Sequence, residues 1–311
     1  MHVLLTGATG LIGKTLGPQL VAAGHKVYVV SRSRERALKE CLYPCEVIEG
    51  ELVQDALRNS LLSKIEAVIH LAGENIASSK WTEDQKRQIY NSRVKGTKNL
   101  VESLKESPLK VFVSTSASGF YGDRKDEILL EDSPRGSGFL ADVCQDWERP
   151  VILAERQNLF PQARYVILRL GLVLSSVGGA LEKMIPVFKM GLGGHMGNGK
   201  QWMSWIDIRD LAKLYLQALS DPRFSGIYNA VSPQPLTNRE FSQLLAQSFG
   251  QKARIPVPGL GLKLVLGEMA DLLLHSQRME AQALVRLGFE FQSPTLEKCF
   301  ENIRKEYESK R

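Results

Sequence analysis

A glycine-spaced turn at the very start of the chain limits the fold more than any other feature. The apolar run His2-Val3-Leu4-Leu5-Thr6 leads into Gly7-Ala8-Thr9-Gly10-Leu11-Ile12-Gly13, and a helical pattern continues to Ala23. A strand that turns through three glycines into a helix lets its backbone approach an anion closely, because the first helical N–H groups have no partner of their own. Glycines also serve ordinary tight turns, so the pattern gains weight from the second strand. That strand, Lys26–Ser31, ends Val29-Val30-Ser31-Arg32. An acid at that point would accept the 2′-hydroxyl of a nucleotide ribose. None occurs before Glu35, and Ser31 and Arg32 instead offer a hydroxyl and a guanidinium, which suit a 2′-phosphate. The expected ligand is therefore NADP(H) rather than NAD. The residues expected to hold it here are Gly7, Thr9, Gly10, Leu11, Ile12, Gly13, Ser31 and Arg32.

The alternation continues. The pattern predicts a short helix at Ser33–Glu40, strands at Cys45–Ile48 and Ala67–Ala72, and a long helix within Thr82–Ser107. Next come a fifth strand at Lys110–Ser116, a helix at about Leu140–Arg156 and a strand at Arg164–Leu170. The strands are near-continuous in Val, Ile and Leu, as strands buried on both faces should be. The fold class is α/β, a Rossmann-type doubly wound parallel sheet with a smaller C-terminal α/β lobe. After Gly171 the texture changes. Gly178-Gly179, Gly191-Leu192-Gly193-Gly194 and Gly197–Gly199 predict a flexible stretch without regular elements. Helical patterns return at Ile208–Leu219, Asn238–Phe249 and Leu260–His275. Residues 1–171, with a returning segment at about 205–232, are assigned to the nucleotide domain. Residues at about 172–204 and 233–311 are assigned to a lobe over the C-terminal edge of the sheet, where ligands sit in such folds.

Composition excludes several classes. The net charge is +6, but the cations form no run apart from Arg32–Arg36 and the tail after Arg304, and no nucleic-acid motif accompanies them. The most apolar late stretch, Ile255–Leu274, is broken by Pro256, Pro258, Lys263, Glu268 and Asp271, so no membrane span is expected. The N-terminus enters the first strand with no basic region or cleavage site. Cys41, Cys45, Cys144 and Cys299 are few and scattered, which together with the N-terminus predicts a reduced, cytoplasmic protein. No Cys/His cluster has metal-ligand spacing, so no metal is expected.

The spacing Gly7-x-x-Gly10-x-x-Gly13 resembles that of extended short-chain dehydrogenases/reductases. So do His70-Leu71-Ala72-Gly73, Ser92-Arg93-Val94-Lys95-Gly96-Thr97, and Ser114-Thr115-Ser116 through Tyr121-Gly122. A narrower likeness, to the subgroup described as "epimerase family", rests on Ala72-Gly73-Glu74-Asn75-Ile76, Trp81, Ser92-Arg93, Ser116 to Gly122, Phe139 to Glu148 and Gly191 to Gly194. The subgroup's C-terminal domain is similar to Arg254–Phe300, with Gly267-Glu268-Met269, Ser276-Gln277-Arg278 and Gly288-Phe289-Glu290-Phe291. The resemblance covers nearly the whole chain. It implies that Leu71, Ala72 and Gly73 border the cofactor through their backbone, that Arg93 contacts it, and that Ser114, Thr115, Leu170, Gly171 and Val173 lie along it. Glu74, Asn75, Phe120, Trp202, Met203 and Trp205 are assigned to a substrate pocket; for the tryptophans, packing between lobes is the competing reading. Dimers through the helix matching Thr82–Ser107 are common in the wider family, which leaves a homodimer open.

One departure affects the chemistry. The wider family carries Tyr-x-x-x-Lys on the helix after the active-site strand, where the tyrosine exchanges a proton and the lysine lowers its pKa. Here that stretch reads Phe139-Leu140-Ala141-Asp142-Val143-Cys144-Gln145-Asp146-Trp147-Glu148, with neither residue. Ser116 matches the family's substrate-polarising serine, and Tyr121 is the nearby tyrosine that could stand in as acid; both are the expected catalytic residues. Packing is the competing role for each. Cys144 has no histidine near it in sequence, which favours a buried helical thiol. Two functions fit this pattern: an NADP(H)-dependent oxidoreductase or epimerase-like enzyme acting on a small carbonyl or sugar-like substrate, and a non-catalytic NADP(H)-binding module that signals to a protein partner.

Overall fold

The computed structural model describes residues 1–309. Seven strands form one parallel sheet: β1 (His2–Thr6), β2 (Lys26–Ser31), β3 (Glu46–Glu49), β4 (Ala67–His70), β5 (Val111–Ala117), and, further on, Arg164–Leu170 and Gly226–Ala230. A two-residue strand, β6 (Ile128–Leu129), precedes the sixth sheet strand, which is therefore β7; β8 (Leu172–Leu174), β9 (Trp202–Met203) and β10 (Trp205–Asp207) lie outside the sheet, and the seventh sheet strand is β11. Their order is β11-β7-β5-β4-β1-β2-β3. The direction of winding reverses between β1 and β4, which pair in register from Val3↔Ala67 to Thr6↔His70. Such a switch point opens a crevice beyond the strand ends, where α/β folds bind ligands.

Side-chain alternation divides the core into two layers. Val3 and Leu5 of β1 pack with Leu16 and Leu20 of α1 (Leu11–Ala22) and with Leu211, Leu214 and Ala218 of a helix at Ile208–Ser220. Leu4 faces the other way, into a layer with Leu100 and Leu104 at the end of the long helix Glu83–Ser103 and Val151 and Ala154 of the helix Phe139–Arg156. With α2 at Arg34–Glu40, these are α3 (Glu83–Ser103), α4 (Phe139–Arg156) and, after α5 (Gly179–Lys189), α6 (Ile208–Ser220). Thr82 caps α3 by accepting from the Gln85 N–H, and Asp207 caps α6 from the Arg209 N–H.

A second core lies beyond the sheet. Leu181, Ile185 and Phe188 of α5 pack with Phe241 and Leu245 of α7 (Asn238–Ser248), and with Leu296, Phe300 and Ile303 of the C-terminal helix Leu296–Ser309. The glycine-rich stretch thus holds a helix, contrary to expectation. Its apolar positions repeat at helical spacing, and the turns fall after it at Gly191, Gly197 and Gly199, all with positive φ. The run Leu260–His275 is not one helix. It is α8 (Gly259–Leu266), a 3₁₀ turn from Gly267 with φ +61°, and α9 (Asp271–Leu274). The returning segment is also divided: α6 and β11 join the nucleotide half, whereas β10 pairs with β8. β12 (Leu236–Thr237) pairs antiparallel with β9, and the C-terminal segment is stitched back by β13 (Arg278–Met279), which runs parallel to β6.

Candidate functional site

The turn after β1 is as close-packed as its glycines suggest. Gly7 has φ +69°, and a Cβ there would stand 2.9 Å from the Leu71 carbonyl carbon. At Gly13 a Cβ would come within 2.4 Å of the Gly7 carbonyl oxygen and 2.6 Å of the Ala8 Cα. Helix α1 begins at Gly10 with no side-chain cap and no acid in its first turn. Its N-terminus therefore keeps its donors and its partial positive charge for an external anion.

A cavity of about 400 Å³ opens beside this turn, lined by Gly7, Thr9, Ser31, Arg32, Ala72 and Gly73 of the expected residues and by Thr6, which was not among them. Ser33, Arg36, Gly50, Glu51 and Ser92, which sequence reasoning missed, line it too. Arg36 stands four residues beyond Arg32, and only the start of α2 brings the two together. Arg32 is 74% exposed and lies 3.8 Å from Glu51, a loose pair that an incoming anion can displace. Ser31 is less free: its hydroxyl donates to the Ser33 carbonyl at 2.9 Å. The floor is set by Thr6. Its Oγ1 lies 2.7 Å from His70 Nδ1 and accepts from the Leu71 and Ala72 N–H groups at 3.2 Å. Burial pushes the His70 pKa down to about 3, so its ring is neutral.

A larger cavity of about 630 Å³ lies between α3, α4 and the C-terminal segment. Leu140, Val143, Cys144 and Trp147 line it from one face of α4. Two of these, Leu140 and Cys144, stand four apart with no tyrosine or lysine between them. Burial pushes the Cys144 thiol up to about 12, so it is no nucleophile near neutral pH. Ile76, Trp81, Lys86 and Arg93 add a second wall, and Glu268, Asp271, Leu272, His275 and Gln277 form a third from the C-terminal segment. The titratable groups of that third wall sit beyond a glycine-broken helix, and nothing in their spacing marks them as a site.

The expected catalytic pair lies elsewhere. Ser116 is fully buried and donates to Glu148 Oε1 at 2.6 Å, and Glu148 is held bidentately by Arg169. Tyr121 is fully buried as well. Its hydroxyl contacts the Asn229 side-chain oxygen at 2.7 Å, the Leu130 carbonyl at 3.0 Å and Arg169 Nη1 at 3.0 Å. Burial pushes its pKa up to about 12. Neither residue lines either of the two cavities. Both serve an internal polar network away from the two cavities.

The remaining expected residues divide between the cavities, the core and the loops. Gly10, Leu11, Ile12 and Gly13 form the start of α1 itself. Arg93 lines the larger cavity, not the smaller, and Glu74 lines the smaller. Asn75 caps its own loop by accepting from the Ala77 N–H at 2.9 Å, and Phe120 lies 3.5 Å beneath the Arg169 guanidinium. Ser114 is buried in β5, and the Thr115 hydroxyl is 2.5 Å from that of Tyr215. Leu71 packs on the core with Val173. Leu170 belongs to that core, and Gly171 is small because a Cβ would come 2.5 Å from the Ser204 carbonyl oxygen. Trp202 donates to Asp126 and stacks on Arg278, and Met203 accepts from Asn238. Trp205 is fully buried in the second core and donates to the Gln234 carbonyl, so it packs there and lines neither of the two cavities. Among the described residues no group of three His, Cys, Asp or Glu side chains could hold a metal ion, and no helix is long and apolar enough to cross a membrane.

A seven-stranded parallel sheet with a glycine-built phosphate turn at its switch point defines a Rossmann-like α/β protein of the short-chain dehydrogenase/reductase type. A family model described as "NAD dependent epimerase/dehydratase family" matches residues 3–231, and one described as "Domain of unknown function (DUF1731)" matches residues 257–303. The chain belongs to the NAD-dependent epimerase/dehydratase family, and it carries that second domain. Human epimerase family protein SDR39U1 is 32% identical over 309 residues, covering 97% of this chain and 99% of the relative. The Arabidopsis thaliana chloroplastic homologue of SDR39U1 is 36% identical over 296 residues, 94% of this chain and 83% of the relative. The crystal structure of human SDR39U1 (isoform 2) with NADPH superposes with a TM-score of 0.85 at 30% identity, over 98% of this chain and 99% of that one. A UDP-glucose 4-epimerase of Thermotoga maritima, 18% identical with a TM-score of 0.76 over 100% of this chain and 99% of that one, shares the fold.

Proposed function

We propose that the chain is an NADP(H)-dependent oxidoreductase acting on a small carbonyl or sugar-like substrate. The observation that carries this reading is the adjacency of two spaces: an anion cradle flanked by Arg32 and Arg36, and a cavity of about 630 Å³ between α3, α4 and the C-terminal segment. The uncapped start of α1 would hold the diphosphate. Arg32 and Arg36, with Ser31 and Ser33 beside them, would hold the 2′-phosphate. NADPH, when bound, supplies a hydride. Trp81, Phe139 and Leu140 give the larger cavity apolar walls. His275, 3.4 Å from Asp271, is the imidazole that lines this cavity and can pass it a proton, a role that the buried Ser116 and Tyr121 hydroxyls cannot take. The solved human relative with NADPH supports the choice of nucleotide.

The test is a side-by-side titration with NADPH and NADH, and then a carbonyl screen of the NADPH complex. Tight NADPH with weak NADH, and transfer of deuteride from labelled NADPH to any substrate, is the expected result. Equal or negligible binding of the two nucleotides overturns the reading.

One observation favours a second reading, an NADP(H)-dependent regulator that acts through a protein partner. Leu140 and Cys144 occupy the α4 face toward the cavity where proton-handling side chains would stand. That reading expects a partner captured only with NADPH present and no turnover. The four cysteines are free, which suits a reducing compartment such as the cytoplasm in either case. A groove between α3 and α4, bordered by Tyr90, Val94 and Leu153, is where a homodimer would form.

A further inference from the structure

The larger cavity carries six charged or titratable groups besides its thiol: Lys86, Arg93, Asp142, Glu268, Asp271 and His275. Five of them are paired within the protein. Lys86 Nζ lies 2.5 Å from Glu268 Oε2 and 3.3 Å from Glu83 Oε1. Asp142 is paired with Arg135, and Asp271 with His275 at 3.4 Å. Arg93 has no acid partner among the described residues.

Its guanidinium is nonetheless held firmly. Nη1 donates to the Glu74 carbonyl at 2.9 Å and to the Ile89 carbonyl at 3.3 Å, and the plane stacks over the Trp147 ring at 5.0 Å. The Trp147 indole N–H beneath it is buried without an acceptor. Gly73 leaves room for the group, since a Cβ there would come 3.1 Å from the Arg93 Cζ. Burial lowers the Arg93 pKa, with the acids nearest it offsetting only part of the cost. A positioned, partly buried cation without an acid partner costs free energy until an anion reaches it. Nε and Nη2 remain to form the planar two-donor edge that matches a carboxylate.

The geometry points to Arg93 as the anchor of a substrate carboxylate. The reading rests on the oxidoreductase proposal and names its substrate class: a small carbonyl compound with one carboxylate and an apolar or aromatic body. Trp81 and Phe139, edge to face at 5.3 Å, and Leu140, Val143 and Leu272 supply the surface for that body. One unpaired cation balances one carboxylate. A diphosphate, the charged group of a sugar nucleotide, would need a second. The same guanidinium chemistry would also suit a phosphate of the cofactor. Arg93, however, lines the larger cavity, whereas Ser31, Arg32 and Arg36 line the smaller.

The experiment is calorimetric titration of the NADPH-loaded protein with phenylacetate and with its neutral isostere phenylacetamide, repeated in Arg93→Met and Arg93→Lys. Phenylacetate is expected to bind about tenfold or more tightly than the amide. Arg93→Met should abolish that gap, Arg93→Lys should restore part of it, and NADPH affinity should change by less than about threefold. Equal binding of acid and amide, or no binding of the acid at millimolar concentration, overturns the proposal. So does a tenfold loss of NADPH affinity in Arg93→Met with the acid–amide gap intact, which would assign Arg93 to the cofactor. If Arg93→Met melts early, Arg93→Lys and the acid–amide comparison in the unaltered protein decide the matter. NADPH binding is measured first and separately, so failure of the oxidoreductase reading is seen as loss of that binding and not as loss of the gap.

Discussion

Glu148 on α4 and Arg169 on β7 form a two-bond ion pair, Nε to Oε1 and Nη2 to Oε2 both at 2.9 Å, with each side chain 3% exposed. The pair joins the helix that walls the larger cavity to the sheet strand next to the β11 edge, and it draws in Ser116 and Tyr121 as hydrogen-bonding partners. Removing one member leaves the other charge buried, at a cost of about 3–5 kcal/mol. Glu148→Ala is therefore expected to unfold at markedly lower denaturant in urea titrations. Tyr121→Phe loses only part of the network and should cost about 1–2 kcal/mol, with NADPH affinity unchanged. A collapse of activity in Tyr121→Phe at unchanged stability would return that residue to the chemistry.

His70 predicts a pH dependence. Thr97 gives its hydroxyl proton to the Arg93 carbonyl, so His70 Nε2 must donate to Thr97 Oγ1 and Nδ1 must accept from Thr6. This assignment uses both ring nitrogens and leaves no place for a second ring proton. The folded pKa of about 3 lies below the ordinary 6.5, so the unfolded chain binds the extra proton more readily. The contribution is complete above pH 6.5 and is lost as pH falls from 6.5 toward 3, at about 1.4 kcal/mol per unit. About 2 kcal/mol should be gone by pH 5. Melting curves between pH 4 and 7 should show a shallower acid slope in His70→Gln; parallel slopes would refute the assignment.

Gly13 tests the cradle. A methyl group there meets the Gly7 carbonyl oxygen at 2.4 Å, and the obstacle is backbone, which cannot swing aside. Gly13→Ala should lower NADPH affinity by at least about tenfold and depress the melting temperature, as seen by nucleotide fluorescence and calorimetry. Unaltered affinity would mean that α1 can shift along β1 without consequence.

Glu51 and Arg36 test the choice of nucleotide from opposite directions. Arg36→Ala should weaken NADPH and leave NADH alone, narrowing the gap by about tenfold. Glu51→Gln frees Arg32 from an exposed competitor worth under about 1 kcal/mol, so NADPH should tighten by up to about fivefold. Direct titration of both variants reads both effects, and equal changes for the two nucleotides would place the 2′-phosphate elsewhere.

What the sequence discloses here depends on the range of the interactions. The turn from Gly7 to Gly13 and the Ser31-Arg32 end of β2 are local, and their spacing alone announces a phosphate site. The parallel sheet is nearly as legible, since strands covered on both faces must be continuously apolar. Arg36 escapes because its role depends on where α2 starts. Trp81, Glu268 and His275 meet across nearly two hundred residues of chain, through a segment whose helical pattern is interrupted at Gly267. Ser116 and Tyr121 mislead for the opposite reason. Their spacing matches an active-site strand, but Glu148 and Arg169 supply buried partners that no local pattern reveals.

The two cavities also differ in when they can exist. Every residue lining the smaller one lies between Thr6 and Ser92, whereas the larger is closed only when Glu268 to Gln277 fold back onto Ile76 and α4. Contacts of long sequence separation form late, both in refolding and as a chain leaves the ribosome. The lining of the smaller cavity is thus complete in sequence long before the larger cavity has its third wall. Because a ligand that binds only the folded state stabilises it, nucleotide in the smaller cavity would stabilise the half onto which the last segment docks.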